Sequence, residues 1–233
     1  MKFFVEGYSR EELKDSAGRP EYRVHLKYSI RITDPEGKSL QPDKLGEVNT
    51  VLSMQDDGWR PNVDWTVKMP TTAPPGRYPI HIEVTDEIGR QRVEYAADLR
   101  VNGPSIKTSG KLDILNIEFA PSDRGPWRPI WYFELRSPVY VRYKVAGYSV
   151  SSDKRVIVQQ DWTVLNADGE EVLSKQPALV EDSQAYYPPK FIQGYFSLSL
   201  RDPEPGDYKI RIEARDEIGG SAASAEARFV LRR

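Results

Sequence analysis

The sequence predicts an all-β chain of two tandem antiparallel β-sandwich domains. Three observations carry this. Apolar residues recur at period two, one long motif is written twice, and Gly, Pro and Asp break the chain into short runs.

The first strand-like run is 24–32, where Val24, Leu26, Tyr28, Ile30 and Ile32 alternate with His25, Lys27, Ser29 and Arg31. One face of such a run is apolar and the other polar, as in a half-buried strand. The next run is 78–84, with Tyr78, Ile80, Ile82 and Val84 on one face. Then "TDEIGR" leads to a last run, 92–101. "VNGPSIKTSGK" (101–111) has no hydrophobic periodicity and reads as a connection. After it, Leu112 and Ile114, then Ile117 and Phe119 after a break, read as an opening strand. Val139, Val141, Tyr143 and Val145 follow at the same period, as do Phe196, Leu198 and Leu200. "RDEIGG" precedes the final run, 222–231. No stretch of ten residues has helical spacing.

The duplication is explicit. "PGRYPIHIEVTDEIG" (75–89) lies over "PGDYKIRIEARDEIG" (205–219), and ten of the fifteen positions are identical. Upstream the match continues at changed offsets: 24–38 over 156–170, and "FFVEGYS" (3–9) over "YKVAGYS" (143–149). Changing offsets mark insertions in loops. The expected organisation is a domain over 1–103, a linker over 104–111 and a second domain over 112–233.

In each copy the Asp-Glu-Ile-Gly motif joins the last two runs. Asp at the start of a turn accepts backbone N–H groups, and Gly at its end supplies positive φ. Asp86 and Asp216 are therefore expected to hold hairpins, with Gly89 and Gly219 at positive φ. Calcium is the other use of such acidic turns, with Asp216, Glu217 and Asp113 as candidate ligands, but these are few for a cation that wants six to eight oxygens.

The pattern Pro-Pro-Gly-x-Tyr, then Ile, Asp and Gly, resembles the last two strands of bacterial immunoglobulin-like and fibronectin-III-like modules. It is carried by Pro74, Pro75, Gly76, Tyr78, Ile82, Asp86 and Gly89, and again by Pro205, Gly206, Tyr208, Ile212, Asp216 and Gly219. The resemblance implies two tandem immunoglobulin-like antiparallel β-sandwich domains of the kind that recur on secreted and surface proteins as spacers, adhesion units or docking modules. It also implies that Trp162 is the buried aromatic of a central strand.

Composition excludes several classes of function. Net charge is −2 with both signs interspersed, so there is no basic stripe for nucleic acid. No apolar run approaches the roughly 20 residues of a spanning helix, so no membrane insertion is expected. There is no cysteine, hence no disulfide, thiolate metal site or cysteine nucleophile. His25 and His81, the two histidines, fall on the polar faces of their runs. No Gly-rich turn feeds a helix to cradle phosphate. The expectation is a chain that is not an enzyme, with no catalytic residues, metal or cofactor. "MKFFVEGYSR" is not a signal peptide; had a signal been removed upstream, the location would be periplasmic or extracellular.

Two features point to a partner. Trp59, Trp127 and Trp131 lie in Pro-rich irregular sequence, and Tyr186 and Tyr187 in "AYYPPKF". Such aromatics beside Arg anchor a protein partner, stack on a sugar ring, or plug the ends of a sandwich. The second feature is a difference between the copies. The second begins with about thirty extra residues, 112–142, before the Tyr-Lys-Val-Ala-Gly-Tyr-Ser match ends its first strands; the first copy starts inside that match. The first domain is therefore expected to lack an N-terminal strand and to have an open edge near Phe3, Phe4 and Val5, Phe4 replacing Lys144 on a polar face. A strand from a partner protein or a second copy would cover it, the alternative being residues upstream of Met1. The expected function is a structural or protein-binding module of a surface, periplasmic or multi-subunit assembly, with carbohydrate binding through the loop aromatics as the alternative.

Overall fold

A computed structural model describes residues 1–103, 106 and 110–233. The chain divides into two compact units, Met1–Ser105 and Ile106–Arg233. Of the expected linker, residues 104, 105 and 107–109 lie outside the described ones. Both units are built from strands, with one 3-10 turn at Met54–Asp56 and no α-helix among the described residues.

The first unit contains β1 (Lys2–Phe4), β2 (Glu11–Lys14), β3 (Pro20–Ile32), β4 (Lys44–Ser53), β5 (Asn62–Asp64), β6 (Gly76–Asp86) and β7 (Gln91–Val101). β3 is central. Glu21 pairs with Leu13 of β2 and Ser53 of β4, and Ile30 with Lys44 of β4 and Ile82 of β6. So β4 runs along one edge of β3, and β2 and β6 share the other. β7 adds to β6, while β1 pairs only with β5 in a separate two-stranded sheet. The main sheet curls without closing, its edges 14 Å apart. The period-two face becomes the core: Val24, Leu26, Ile30, Ile32, Tyr78, Ile80, Ile82 and Val84 are all buried.

The second unit contains β8 (Asp113–Ala120), β9 (Tyr132–Glu134), β10 (Val139–Ala146), β11 (Arg155–Leu165), β12 (Glu171–Gln184), β13 (Phe191–Leu198), β14 (Gly206–Asp216) and β15 (Ser221–Arg232). One sheet has the order β13-β10-β8 and the other β12-β11-β14-β15-β9. Val141 and Tyr143 from the first meet Val158, Ile210 and Ile212 from the second in one buried cluster. All pairings are antiparallel except β9 with β15. The break read in 112–119 is a bulge: Asn116 has φ 53° and the β8–β10 register shifts there. Trp162 is buried and stacks on Phe196 with ring centroids 4.8 Å apart.

The duplication extends to hydrogen-bond register. The β6–β7 hairpin pairs Gly76 with Val101 through Asp86 with Gln91; the β14–β15 hairpin pairs Gly206 with Leu231 through Asp216 with Ser221. Every pair is shifted by the same 130 positions. Ile30 faces Ile82 as Trp162 faces Ile212, which agrees with the upstream offset of the sequence match.

Candidate functional site

The repeated acidic turn is a joint. Asp86 is buried, and its Oδ1 accepts the N–H groups of Ile88 and Gly89, both at 3.0 Å. Its Oδ2 accepts the N–H of Ser9 at 2.7 Å. Asp216 does the same with Ile218, Gly219 and Ser149. The two motifs written twice, Gly-Tyr-Ser and Asp-Glu-Ile-Gly, are thus the two halves of one clamp. Burial pushes both carboxyls up, but the N–H groups of the glycine and serine, the serine hydroxyl and the isoleucine N–H outweigh it, and both lie below the ordinary carboxylate value. Oxygens that face N–H donors present no free lone-pair cage to a cation, and Asp113 bonds the N–H of Ile114. Among the described residues no group of three or more His, Cys, Asp or Glu is placed to hold a metal ion.

The expected positive φ at Gly89 and Gly219 is not found. The left-handed positions are the next residues, Arg90 at 54° and Gly220 at 66°. Glycine is required for space instead. A Cβ on Gly89 would overlap Ser9 Oγ and lie 2.7 Å from Asp86 Oδ2, and Gly219 has the same neighbours in Ser149 and Asp216. The clamp closes so tightly over the turn that only a hydrogen fits.

The open part of the first unit includes the expected edge and is larger than the sequence indicated: β1 pairs with β5 alone, and no strand lies on its other side among the described residues, where β8 flanks the equivalent β10. One side of Phe3–Val5 is closed from within the chain: β1 pairs with β5, Val5 donates to the Pro61 carbonyl at 3.1 Å, and Phe3 meets Tyr28 edge to face at 6.3 Å. Phe4 is 57% exposed, with the Lys2 ammonium 5.4 Å from its ring centroid. The greater gap is over β7. Val93, Tyr95, Ala97 and Leu99 stand directly opposite Val84, Ile82, Ile80 and Tyr78, so they share the core-facing side of the sheet. Yet Val93 is 59% and Tyr95 65% exposed, and Leu99 and Val101 are only half-buried. Beyond β6, no strand pairs with β7 among the described residues.

The second unit shows what is missing. The positions equivalent to Leu99 and Val101 are Phe229 and Leu231, both buried. They are covered because β8 packs across β14 and β15 and β9 extends the sheet beside β15. Phe119 of β8 and Phe133 of β9 reach Phe229 at ring distances of 5.5 and 6.0 Å. The described residues of the first unit contain no counterpart of either strand.

The loop aromatics do not form one site. In the first unit Trp59 is half-buried against Tyr8, whose hydroxyl donates to the Trp59 carbonyl at 2.7 Å. In the second, Trp131 packs on the core beside Phe133, with the Arg128 guanidinium over its ring. Tyr186 is exposed under the Lys154 ammonium, and Tyr187 lies near Lys190. Trp127 is the one with aromatic company at the surface: Tyr195 meets it edge to face at 6.1 Å, Tyr140 lies 6.5 Å beyond, and the Arg142 guanidinium stacks 4.5 Å from Trp127 while pairing with Glu118.

No protein-family model and no curated protein matches the chain.

Sequence reading missed Val93, Tyr95, Leu99 and Val101. The signal was available in the alignment at offset 130. The second copy writes Ala223 and Ala225 where the first writes Val93 and Tyr95. Small residues leave room for a covering strand, and large apolar ones on an uncovered face need something to cover them.

Proposed function

We propose that the chain is a non-catalytic, protein-binding tandem of two immunoglobulin-like modules, and that its first unit works by accepting a strand along β7. The observation that carries this is the exposed core-facing side of β7, beside a free sheet edge. An edge of unpaired N–H and C=O groups next to an apolar face is the geometry of β-strand addition, in which main-chain bonds supply affinity and alternate side chains fill pockets.

Two features support the immunoglobulin-like reading. The strand order of the second unit resembles that of such sandwiches. Tyr78 and Tyr208 each donate their hydroxyl to the carbonyl four residues upstream, Pro74 at 2.6 Å and Glu204 at 3.0 Å, which resembles the tyrosine corner of that fold. A setting in a surface, periplasmic or multi-subunit assembly suits a cysteine-free docking module.

The test uses the segment that covers the same face in the second unit. A synthetic peptide of residues 112–134 is titrated into the full chain and followed by amide exchange. Saturable binding that protects 91–101 is expected, with loss of binding on Tyr95→Glu. Absence of binding by the monomeric chain, or protection confined to other strands, overturns the reading.

Carbohydrate binding is a second reading, favoured by Trp127, Tyr195 and Tyr140 together on one surface with Arg142. Ring faces of this kind stack on sugars. A glycan array would show retained binding that Trp127→Ala abolishes; an array with no bound glycan removes this reading.

A further inference from the structure

We propose that the strand accepted by the first unit is β7 of a second copy, giving a two-fold dimer through an antiparallel β7–β7 pair centred on Ala97. The inference rests on the reading of β7 as a docking edge and names its occupant.

Pleating limits the registers. Apolar positions meet apolar positions only when the pivot keeps odd residues opposite odd ones. Charge then selects among them. On the outer side of the sheet Glu83 stands directly opposite Glu94, and Arg77 directly opposite Arg100. Like charges in that relation oppose pairing. Arg92 relieves the acidic row, 2.8 Å from Glu83 and 2.6 Å from Glu94, and Asp98 relieves the basic one at 2.7 Å from Arg77. The β6–β7 edge is left acidic toward one end and basic toward the other.

Such an edge is complementary to itself when reversed. Pivoting about Ala97 sets Glu94 of each copy opposite Arg100 of the other. The row across four strands becomes Glu83, Glu94, Arg100 and Arg77, with opposite signs meeting at the junction. On the core-facing side the same register sets Tyr95 opposite Leu99 and Val93 opposite Val101. These are aromatic–aliphatic and aliphatic pairs of the kind that stabilise sheets.

Neighbouring pivots fail. Ala96 would place Arg92 on Arg100 and Glu94 on Asp98. Asp98 would meet itself across its own pivot. Tyr95 would match Arg92 with Asp98 but set Leu99 opposite Gln91 and Val101 opposite Gly89. A Leu99 pivot also matches both faces, with Asp98 on Arg100 and Ala97 on Val101, but over 97–101 alone; the Ala97 register does so over residues 93–101 of each copy and pairs the longer apolar row. An interface that uses one patch twice closes as a dimer and does not propagate.

The test is sedimentation of the full chain with amide exchange, on wild type, Glu94→Arg, Arg100→Glu and the double variant. Wild type should show a mass that doubles with concentration, together with protection of 93–101 in the dimer. Each single substitution creates two like-charge contacts and should weaken association by about tenfold or more. The double variant restores opposite signs and should recover the dimer. A wild type that stays monomeric up to about 1 mM overturns the proposal. So does a dimer indifferent to the single substitutions, one that the double variant does not recover, or one that leaves 93–101 unprotected. The peptide titration separates the two levels: a monomer that still binds 112–134 along β7 defeats the dimer and leaves the docking edge standing, whereas failure of both defeats both.

Discussion

The N–H of Ser9 points at Oδ2 of Asp86, 2.7 Å away, and Ser149 repeats the contact with Asp216 at the same distance. In the second unit this bond ties the segment leaving β10, in one sheet, to the β14–β15 hairpin of the other. A buried carboxylate with three backbone donors is well satisfied, and its removal strands all three donors.

Replacing Asp86 or Asp216 by Ala should therefore destabilise its unit by about 2–4 kcal/mol. Chemical denaturation followed by tryptophan fluorescence measures this. A loss well under 1 kcal/mol would show that water replaces the carboxylate at little cost.

The clamp also gives acid sensitivity with a defined sign. Both folded-state pKa values are lowered, so the charged form stabilises the fold. That contribution is complete above the unfolded carboxylate value, about pH 4, and is lost as pH falls below it through the lower folded value. Melting temperature should drop below about pH 4, and the double variant Asp86→Asn, Asp216→Asn should start lower at neutral pH but fall less. Equal slopes for the two proteins would assign acid sensitivity to other carboxylates.

Gly89→Ala should cost about 1–3 kcal/mol through overpacking, although Gly89 is not in the left-handed region. Ser9→Ala removes the hydroxyl that the new Cβ meets, so the two substitutions should be non-additive in a double-mutant cycle. Additive losses would mean that the clash is relieved by backbone movement.

The unequal cover of the two hairpins is measurable as unequal cost. Phe229 is fully buried between Phe119, Phe133 and Tyr208, and Phe229→Ala should cost about 3–5 kcal/mol. Leu99, at the equivalent place but half-buried, should cost roughly 1 kcal/mol on truncation to Ala. Similar losses at dilute protein concentration would show that the first hairpin is covered after all.

The hairpins, the offsets and the bulge at Asn116 were legible because they are local: alternation, a turn motif and one interruption are all written in adjacent residues. β4 and β12 were not read as strands. In β4 the inward face carries Gly46 and Thr50 beside Val48 and Leu52, while Leu45 and Val51 lie on the exposed face, so apolar residues do not track its burial; β12 is exposed on both faces over most of 171–177. β9 is three residues in Pro-rich sequence and exists by pairing with β15, about a hundred residues later. The need for glycine at 89 was assigned to φ instead of space because turn statistics carry no information about Ser9, which arrives from the far end of the unit. The open face of β7 required a comparison of what each copy packs on that strand, and periodicity alone marks Val93 and Tyr95 as ordinary core.

Seen from the ribosome, the clamp sets a schedule. Ser9 and Asp86 are 77 residues apart, and Ser149 and Asp216 are 67 apart. At a synthesis rate of about 5–20 residues per second, β1 emerges roughly 4–15 s before the hairpin that will hold it. During that interval β3 and β4 can pair, but their apolar face has no opposing layer. Each unit is thus completed by its last hairpin, and the nascent chain is most prone to wrong association just before Asp86 or Asp216 arrives.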